Sequence, residues 1–233
     1  MLQLRPRAQL GGHNHGWLDT KHHFSFANYY DPERMGWGQL RVINDDTIQP
    51  HTGFSAHPHQ DMEIITYVRK GAITHRDSLG NMGRTEAGDV QVMTAGTGIV
   101  HEEYNREPDI TQLFQIWILP ARKGLEPRWE SRPFPKDGSA AGLIQLASGR
   151  KPEGQAMLLN ADADIYGASL APRSEVRYTT EQGRYLYLLP ATGHVRVDGT
   201  DVHAGDGLAI KDRTELCIEA LTPSEVLLID VGR

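Results

Sequence analysis

Short runs that alternate apolar and polar residues, separated by turn residues, recur along the first half of the chain. Met62–Val68 is rich in β-branched and aromatic residues and stops before Gly71, and Asp89–Met93 alternates until Gly96. Alternation with a period of two is typical of a strand with one buried face. Leu113–Leu119 gives the strongest strand prediction. Because this half shows no helical periodicity, we predict an all-β fold.

Two polar or Pro-rich stretches are interpreted as breaks between strands. The triplet Asn44–Asp46 follows Gln39–Ile43 and is predicted to end that strand in a turn. The segment Glu126–Gly142 is rich in Pro, Gly and charged residues, which is typical of a linker between domains. We therefore predict two domains, residues 1–134 and 135–233. The second domain also contains strand-like runs, at Arg184–Leu189, His194–Asp198 and Ser224–Asp230.

The two halves of the chain share a short internal repeat. Glu86–Met93 matches His203–Ile210, about half the chain length further on. A repeat of one supersecondary unit at this spacing predicts two related β-barrels in tandem. At the same offset His101 aligns with Ile218, so a site built on that histidine would have no counterpart in the second half.

Composition limits the classes of partner and compartment. The chain has 233 residues, of which 39% are hydrophobic and 23% charged, as in an ordinary globular protein. A net charge of −6 gives no electrostatic footprint for nucleic acid and disfavours an anionic membrane surface. The single cysteine, Cys217, excludes an intrachain disulfide, and residues 1–10 lack the apolar stretch of a signal peptide. We therefore expect a cytoplasmic protein.

Most of the 11 histidines lie at or before residue 101, and two His-x-His/Glu couples stand out among them. His57 and His59 form one couple, and His101 and Glu103 form the other. Residues i and i+2 of a strand point to the same face, so two neighbouring strands would aim four donors at one ion. Imidazole and carboxylate ligands suit a divalent transition metal and leave open positions on a six-coordinate ion. No cysteine lies nearby, which argues against a thiolate zinc site.

Alternation alone leaves the choice of the acidic ligand open. Glu103 shares the face of His101, whereas Glu102 points to the other face. Glu63 has the parity of the first histidine couple if its strand is regular, so it competes with Glu103 for the fourth position. The other interpretation of Glu63 is a supporting acceptor that orients a ligand imidazole.

The spacing of these residues resembles the two cupin motifs, and more closely the pirin family within the cupin superfamily. Three stretches carry the resemblance: Asn14–Pro32, Phe54–Glu63 and Met93–Asn105. They are similar in particular to the bacterial pirin-like quercetin 2,3-dioxygenases, over residues 11–120. The resemblance implies a bicupin, two tandem β-barrels with metal only in the N-terminal one. It also implies that the metal ligands are His57, His59, His101 and Glu103, which favours Glu103 over Glu63.

The resemblance further implies a cofactor and a reaction. The cofactor would be one divalent transition metal per chain, Fe(II) first, while Cu, Mn, Co, Ni or Zn would suit the same ligands. The reaction would be dioxygenation of a flavonol such as quercetin, in which O2 opens the heterocycle and carbon monoxide is released. Glu103 would then be a metal ligand and a general base at once.

Candidate pocket residues lie near the N-terminus and on the strand after the site. The N-terminal set would either rim the pocket mouth, where a flat polyphenol can stack, or pack a strand onto the barrel; it consists of Trp17, His22, Phe24, Phe26 and Tyr29. Gln115 would face the cavity as a hydrogen-bond donor if it and Trp117 point inward. The opposite assignment, with Phe114 and Ile116 inward, is equally compatible with the sequence.

Two other functions fit the same ligands. Pirin relatives are also known as regulators of transcription or metabolic enzymes, in which the redox state of the metal would switch a surface that binds a protein partner. A cupin isomerase or epimerase acting on sugars would need the metal and a base but no dioxygen. Pocket access distinguishes the regulator from the dioxygenase, because catalysis needs an open cavity. Oxygen dependence distinguishes both alternatives from the dioxygenase.

Overall fold

The described residues of this computed structural model, 1–133 and 142–233, lie mostly in β-strands. In chain order these are β1 (Leu2–Arg5), β2 (Gly11–Asn14), β3 (Leu18–His22), β4 (Leu40–Ile48), β5 (Gly53–His59), β6 (Glu63–Lys70), β7 (Ala72–Asp77), β8 (Met82–Glu86), β9 (Val90–Thr94), β10 (Ile99–Tyr104), β11 (Thr111–Ile118), β12 (Arg128–Arg132), β13 (Ile144–Ser148), β14 (Met157–Leu158), β15 (Ala163–Leu170), β16 (Glu175–Thr179), β17 (Tyr185–Thr192), β18 (His194–Val197), β19 (Thr200–His203), β20 (Gly207–Lys211), β21 (Glu215–Ala220) and β22 (Ser224–Val231). Two short 3-10 helices span Arg7–Gln9 and Pro32–Arg34. Within these ranges, no helix has the length and apolar character that crossing a membrane requires.

The strands form four sheets that repeat one arrangement twice. In the first half, a seven-stranded sheet of order β12-β9-β6-β11-β4-β3-β2 accompanies a four-stranded sheet of order β5-β10-β7-β8. In the second half, the orders are β1-β20-β17-β22-β15-β13-β14 and β16-β21-β18-β19. Strand by strand, the two central patterns correspond, so the described residues form two barrels of the same topology. The prediction of an all-β fold with two tandem barrels is confirmed.

The edge strands of the two large sheets do not follow the division at residue 134. β1, at the N-terminus, pairs with β20 in the sheet of the second half, and β12 pairs with β9 in the sheet of the first half. The prediction of a linker over Glu126–Gly142 was therefore wrong for Arg128–Arg132, which form β12. Residues 134–141 of that segment lie outside the described residues, and the domain boundary stays a prediction.

The predicted turn at Asn44–Asp46 was also wrong, because β4 continues through this triplet to Ile48. Asp45 is buried and forms ion pairs with Arg7, at 2.8 Å, and with Arg69. Asn and Asp are poor strand formers on average, but packing and pairing within a sheet routinely outweigh that preference. The strand therefore continues through three polar residues, with Asn44 and Asp46 on the opposite face of the sheet from Asp45.

The two large sheets pack against each other through apolar side chains. Phe114 and Ile116 of β11 belong to one buried cluster with Leu227 and Ile229 of β22. Both faces of the large sheet in the first half are thus covered, one by the second barrel and the other by its own small sheet. The interior of the second barrel is filled by a separate apolar cluster that includes Ile218.

Candidate metal centre

Three histidines converge where β5 and β10 lie side by side. His57 and His59 lie on β5, and His101 on β10 pairs directly with His57. One donor nitrogen from each ring lies within 4.8 Å of the others, and the Nε2 atoms of His57 and His101 are 3.2 Å apart. His101 is buried, whereas the other two imidazoles are half-buried. Alternation along both strands produces this convergence.

The donor set fits a divalent cation. The Nδ1–H of His57 donates to the Ser55 carbonyl at 2.7 Å, so its Nε2 keeps a lone pair that points at His101. Burial, together with the neighbouring His57, lowers the pKa of His101 to about 2 and that of His59 to about 4. The rings of His59 and His101 can therefore stay neutral, which is the form that binds metals. Lone pairs this close repel one another unless a cation lies between them.

Glu103 lies two residues further along β10, in the buried space behind the triad. The Gln115 amide donates to its Oε2 at 2.9 Å, and the Gln91 amide donates to its Oε1. Burial raises the pKa of Glu103. One carboxylate oxygen of Glu103 lies within 4.8 Å of a donor nitrogen of His75 and of one of His101. The structure thus places Glu103 next to the triad but holds it by amides, and its role as fourth ligand stays a prediction.

A row of polar side chains crosses the inner face of the large sheet beneath Glu103. Each member pairs in register with the next, from β3 through β4, β11 and β6 to β9: His22, Asn44, Gln115, Thr66 and Gln91. His22 Nδ1 and Asn44 Oδ1 lie 2.8 Å apart, and the Thr66 hydroxyl lies 3.5 Å from Glu103. The assignment of Gln115 that the sequence left open is therefore the inward one.

A cavity of about 780 Å³ opens to solvent over the histidines. Its walls include the aromatic side chains of Trp17, Phe26, Tyr29, Phe54 and Trp117. Its polar lining includes Thr20, His22, Asn44, Asp46, His57, His59 and Gln115. The volume lies in the range of small-molecule sites, and apolar walls with a few converging polar groups are typical of such sites.

Two expected pocket residues lie elsewhere. Phe24 is fully buried between the barrels, where its ring packs against Tyr187, because β3 ends at His22 and the alternation does not continue. Glu63 does not hydrogen-bond a candidate ligand. Its Oε2 accepts from the Thr94 hydroxyl at 3.0 Å and from the Asn160 backbone at 3.1 Å, so it contacts the second half of the chain.

Several groups at the site were not predicted from the sequence. Asn44 and Asp46 were assigned to a turn, although extending the strand beyond Ile43 would have placed both on the inner face. His75 is not among the predicted ligands, yet it is fully buried against His101. No local signal marks His75, because its partner lies on another strand.

Asp46 makes stability depend on pH in a defined direction. Burial, reinforced by the nearby carboxylates of Asp45 and Glu103, raises the pKa of Asp46 to about 7. An unfolded aspartate ionises near pH 4, so between about pH 4 and 7 the folded protein keeps a proton that the unfolded chain has lost. Stability that this group contributes at low pH is therefore lost as the pH rises through this interval.

Asp46→Asn removes this ionisation. We expect the melting temperature of the metal-free variant at pH 8 to exceed that of the wild type by roughly 5 to 10 °C, and the difference to shrink towards pH 5. Thermal unfolding followed by circular dichroism from pH 5 to 9 measures it. A difference that is the same at every pH would contradict the raised pKa.

In the ranges 1–133 and 142–233, both groups of three or more potential metal donors lie in the first barrel. One is His57, His59 and His101, and the other is His75, His101 and Glu103. Only the first borders the open cavity. The position that aligns with His101 in the second barrel, Ile218, is buried in an apolar core.

Comparison with known proteins gives consistent matches over the whole chain. The Pirin family matches residues 3–118, and the quercetinase C-terminal cupin domain matches residues 145–231. A pirin-like protein of Caulobacter vibrioides is 53% identical over 232 residues, which cover all of both chains. A quercetin 2,3-dioxygenase of Escherichia coli K12 is 42% identical over 234 residues, 99% of each chain. The crystal structure of the bacterial pirin YhhW from Escherichia coli in complex with nickel(II), also 42% identical, superimposes with a TM-score of 0.93 over 100% of this chain and 99% of that one.

Proposed function

Because this chain belongs to the pirin family, we propose that it is a metal-dependent dioxygenase that opens the heterocycle of a flavonol such as quercetin. In this reaction both atoms of O2 enter the products and one ring carbon leaves as carbon monoxide. The observation that carries the proposal is the open aromatic cavity of about 780 Å³ whose wall includes His57 and His59. The proposed ligands are these two residues with His101 and Glu103, and Fe(II) is the ion proposed first.

The cavity walls suit a flat polyphenol. Trp17 and Phe54 contact each other edge to face, with ring centroids 5.2 Å apart, and Phe26 meets Trp117 in the same way at 5.4 Å. Such aromatic walls stack against a planar ring system, and burial of the ring faces supplies most of the binding energy. Polar groups near the histidines, among them Asn44, can hydrogen-bond the hydroxyl groups of the substrate.

The proton of the reacting hydroxyl needs an acceptor. When bound, the ion supplies Lewis acidity that favours the ionised form of a flavonol hydroxyl. Glu103 is the proposed base, because its carboxylate lies beside the triad and burial raises its pKa. Gln91 and Gln115 fix its orientation through their amides. Asp46, which lines the cavity and whose Oδ1 has no hydrogen-bond partner among the described residues, is a second carboxyl within the site.

Access to the candidate centre supports catalysis over a purely regulatory role. A sensing or structural ion can be sealed in protein, whereas turnover requires that substrate reach it. His57 and His59 are half-buried and border solvent-accessible space. The cavity extends from them to the aromatic wall at Tyr29, which leaves room for a ligand of flavonol size.

Oxygen-dependent consumption of quercetin is the expected result of the direct test. The protein is loaded with Fe(II), Ni(II), Co(II), Mn(II) or Cu(II) in turn and incubated with quercetin with and without air. We expect flavonol absorbance to fall and carbon monoxide to be released only in air and only with metal-loaded protein.

The controls separate the alternatives. Metal-free protein and free metal ions should release no carbon monoxide from quercetin over the same period. No oxygen-dependent loss with any of these ions would overturn the dioxygenase proposal and favour a regulator. Turnover of a sugar without oxygen would favour an isomerase.

A further inference from the structure

A chain of three buried side chains leads away from the candidate metal centre on the side opposite the cavity. His101 Nδ1 lies 3.4 Å from His75 Nδ1, and His75 Nε2 lies 2.9 Å from Asp77 Oδ2. His101 therefore contacts His75 through one ring nitrogen and points the other at His57. All three side chains of this chain are buried.

The hydrogen bonds that Asp77 accepts determine which nitrogen of His75 carries a proton. Its Oδ1 accepts from the backbone N–H groups of Leu79, at 2.9 Å, and Asn81, at 3.1 Å, and its Oδ2 accepts from the Asn81 amide at 2.9 Å. Burial by itself would raise the pKa of Asp77, but hydrogen bonds from His75 and Asn81 lower it overall. Asp77 is thus a carboxylate, which can only accept, so His75 donates its Nε2–H to it.

The position of the proton on His75 determines in turn which nitrogen of His101 carries a proton. With its proton on Nε2, His75 offers a lone pair on Nδ1. This lone pair faces His101 Nδ1, so His101 carries its proton there. The Nε2 atom of His101 is then left with a lone pair that points towards the other two histidines of the triad.

The His75 ring itself is held in place from a different sheet. Trp129 of β12 stacks on it with ring centroids 4.7 Å apart and the planes 5° from parallel. Gly83 pairs with His75 on β8, and a Cβ there would overlap the Trp129 ring. The absence of a side chain at Gly83 is therefore what allows Trp129 to cover His75.

The second barrel gives an internal comparison. Its strand β18 corresponds to β7 in sheet order, and its buried positions there are Val195 and Val197. The aligned partner of His101 is the apolar Ile218. The described part of the second barrel has no histidine triad, and its strand β18 also carries no buried His and Asp pair.

We propose that Asp77 and His75 are positioning residues for His101: they fix its Nδ1–H tautomer and the orientation of its ring, so that Nε2 is presented to the metal ion. The inference rests on the proposed metal-dependent function, but not on the flavonol or on dioxygen. A ligand histidine commonly donates its second N–H to a carboxylate, a carbonyl or water. Here a second histidine, itself anchored by a carboxylate, takes that position.

Three substitutions of His75 separate positioning from packing. His75→Phe keeps the stacking on Trp129 but removes both nitrogens. His75→Asn places an amide oxygen near the position of Nδ1, where it can accept from His101. His75→Gln reaches towards the position of Nε2 and can donate to Asp77, but it offers His101 no acceptor at the right place.

Nickel(II) affinity, measured by competition with a chromophoric chelator, is the first readout. We expect the Phe and Gln variants to bind Ni(II) about 10- to 100-fold more weakly than the wild type, and the Asn variant to recover much of that loss. His203→Phe, at an exposed histidine of the second barrel, should leave the affinity unchanged. Thermal melts show that each variant is folded. Wild-type affinity in His75→Phe, or better recovery with Gln than with Asn, would overturn the proposal.

Protonation of the two rings is the second readout. Long-range ¹H–¹⁵N spectra of the Zn(II)-loaded wild type should show His101 protonated at Nδ1 and His75 protonated at Nε2. A His101 without a proton on Nδ1 overturns the proposal. If the wild type binds neither Ni(II) nor Zn(II), the proposed function itself fails. If it binds both ions and the Phe, Asn and Gln variants of His75 all bind Ni(II) with the same affinity, only the positioning role fails.

Discussion

His101→Ala is expected to lose bound metal and to lower flavonol turnover by at least about 100-fold. Changing a residue that merely supports a metal ligand already lowers metal affinity or activity about 10- to 100-fold. The physical reason is geometric. His101 lies between the cavity histidines and the buried His75, with Nε2 3.2 Å from His57 Nε2. Removing its ring breaks the triad and leaves two half-buried imidazoles with no third donor.

Metal content by mass spectrometry, beside quercetin consumption in air, measures this loss. His101 is buried, so its removal can also weaken the fold; His57→Gln, at a half-buried position, tests the same centre with little effect on packing. His203→Ala, an exposed histidine on β19, is the matched control and should keep full metal and turnover. Stoichiometric metal in the His57 and His101 variants would show that the ion is held elsewhere.

Glu103→Gln is expected to lower turnover by about 100-fold or more even when metal is restored to full occupancy, since a general base typically contributes 10²- to 10⁴-fold. The substitution removes the negative charge but keeps the size of the side chain. It also disturbs a hydrogen-bond set built for a carboxylate, because Gln91 and Gln115 both donate to it. Metal affinity should therefore fall as well, as the role of Glu103 as fourth ligand predicts.

Asp46→Asn is the matched comparison for this experiment, because it neutralises the other carboxyl of the site. If Glu103 takes the proton, Asp46→Asn should keep turnover within about tenfold and act mainly on KM. Full turnover in metal-loaded Glu103→Gln would rule out the base role. A larger loss in Asp46→Asn than in Glu103→Gln would transfer that role to the cavity-lining Asp46.

Much of the architecture was readable from local pattern. Alternation in Met62–Val68 and Leu113–Leu119 identified two central strands of the first barrel, and the short repeat predicted that the second half would copy it. The His-x-His couple needed only one assumption, that residues two apart on a strand share a face. Its convergence with His101 followed because the two strands are neighbours.

Where local pattern and tertiary context disagreed, context decided. Asn44–Asp46 looks like a turn in isolation, yet Asp45 finds two arginines and its neighbours face the cavity, so the strand continues. Arg128–Arg132 looks like linker, yet it completes the edge of the large sheet beside β9. In both segments, partners that are distant in sequence outweigh the intrinsic preference of the residues.

The sequence by itself determined which residues of each His-x-His/Glu couple share a strand face, and that the second half has no histidine to match His101. It also determined that the candidate donors are imidazoles and carboxylates. Each of these depends on residues close together or on a direct comparison of the halves. Only the tertiary structure decided that Gln115 points to the site and Phe114 away from it. Both faces of that sheet are buried, one under the second barrel and one over the metal centre, so hydrophobic alternation carries no information about direction. The same holds for His75 and Asp77. Their relation to His101 exists only across paired strands, where contacts depend on register and not on proximity along the chain.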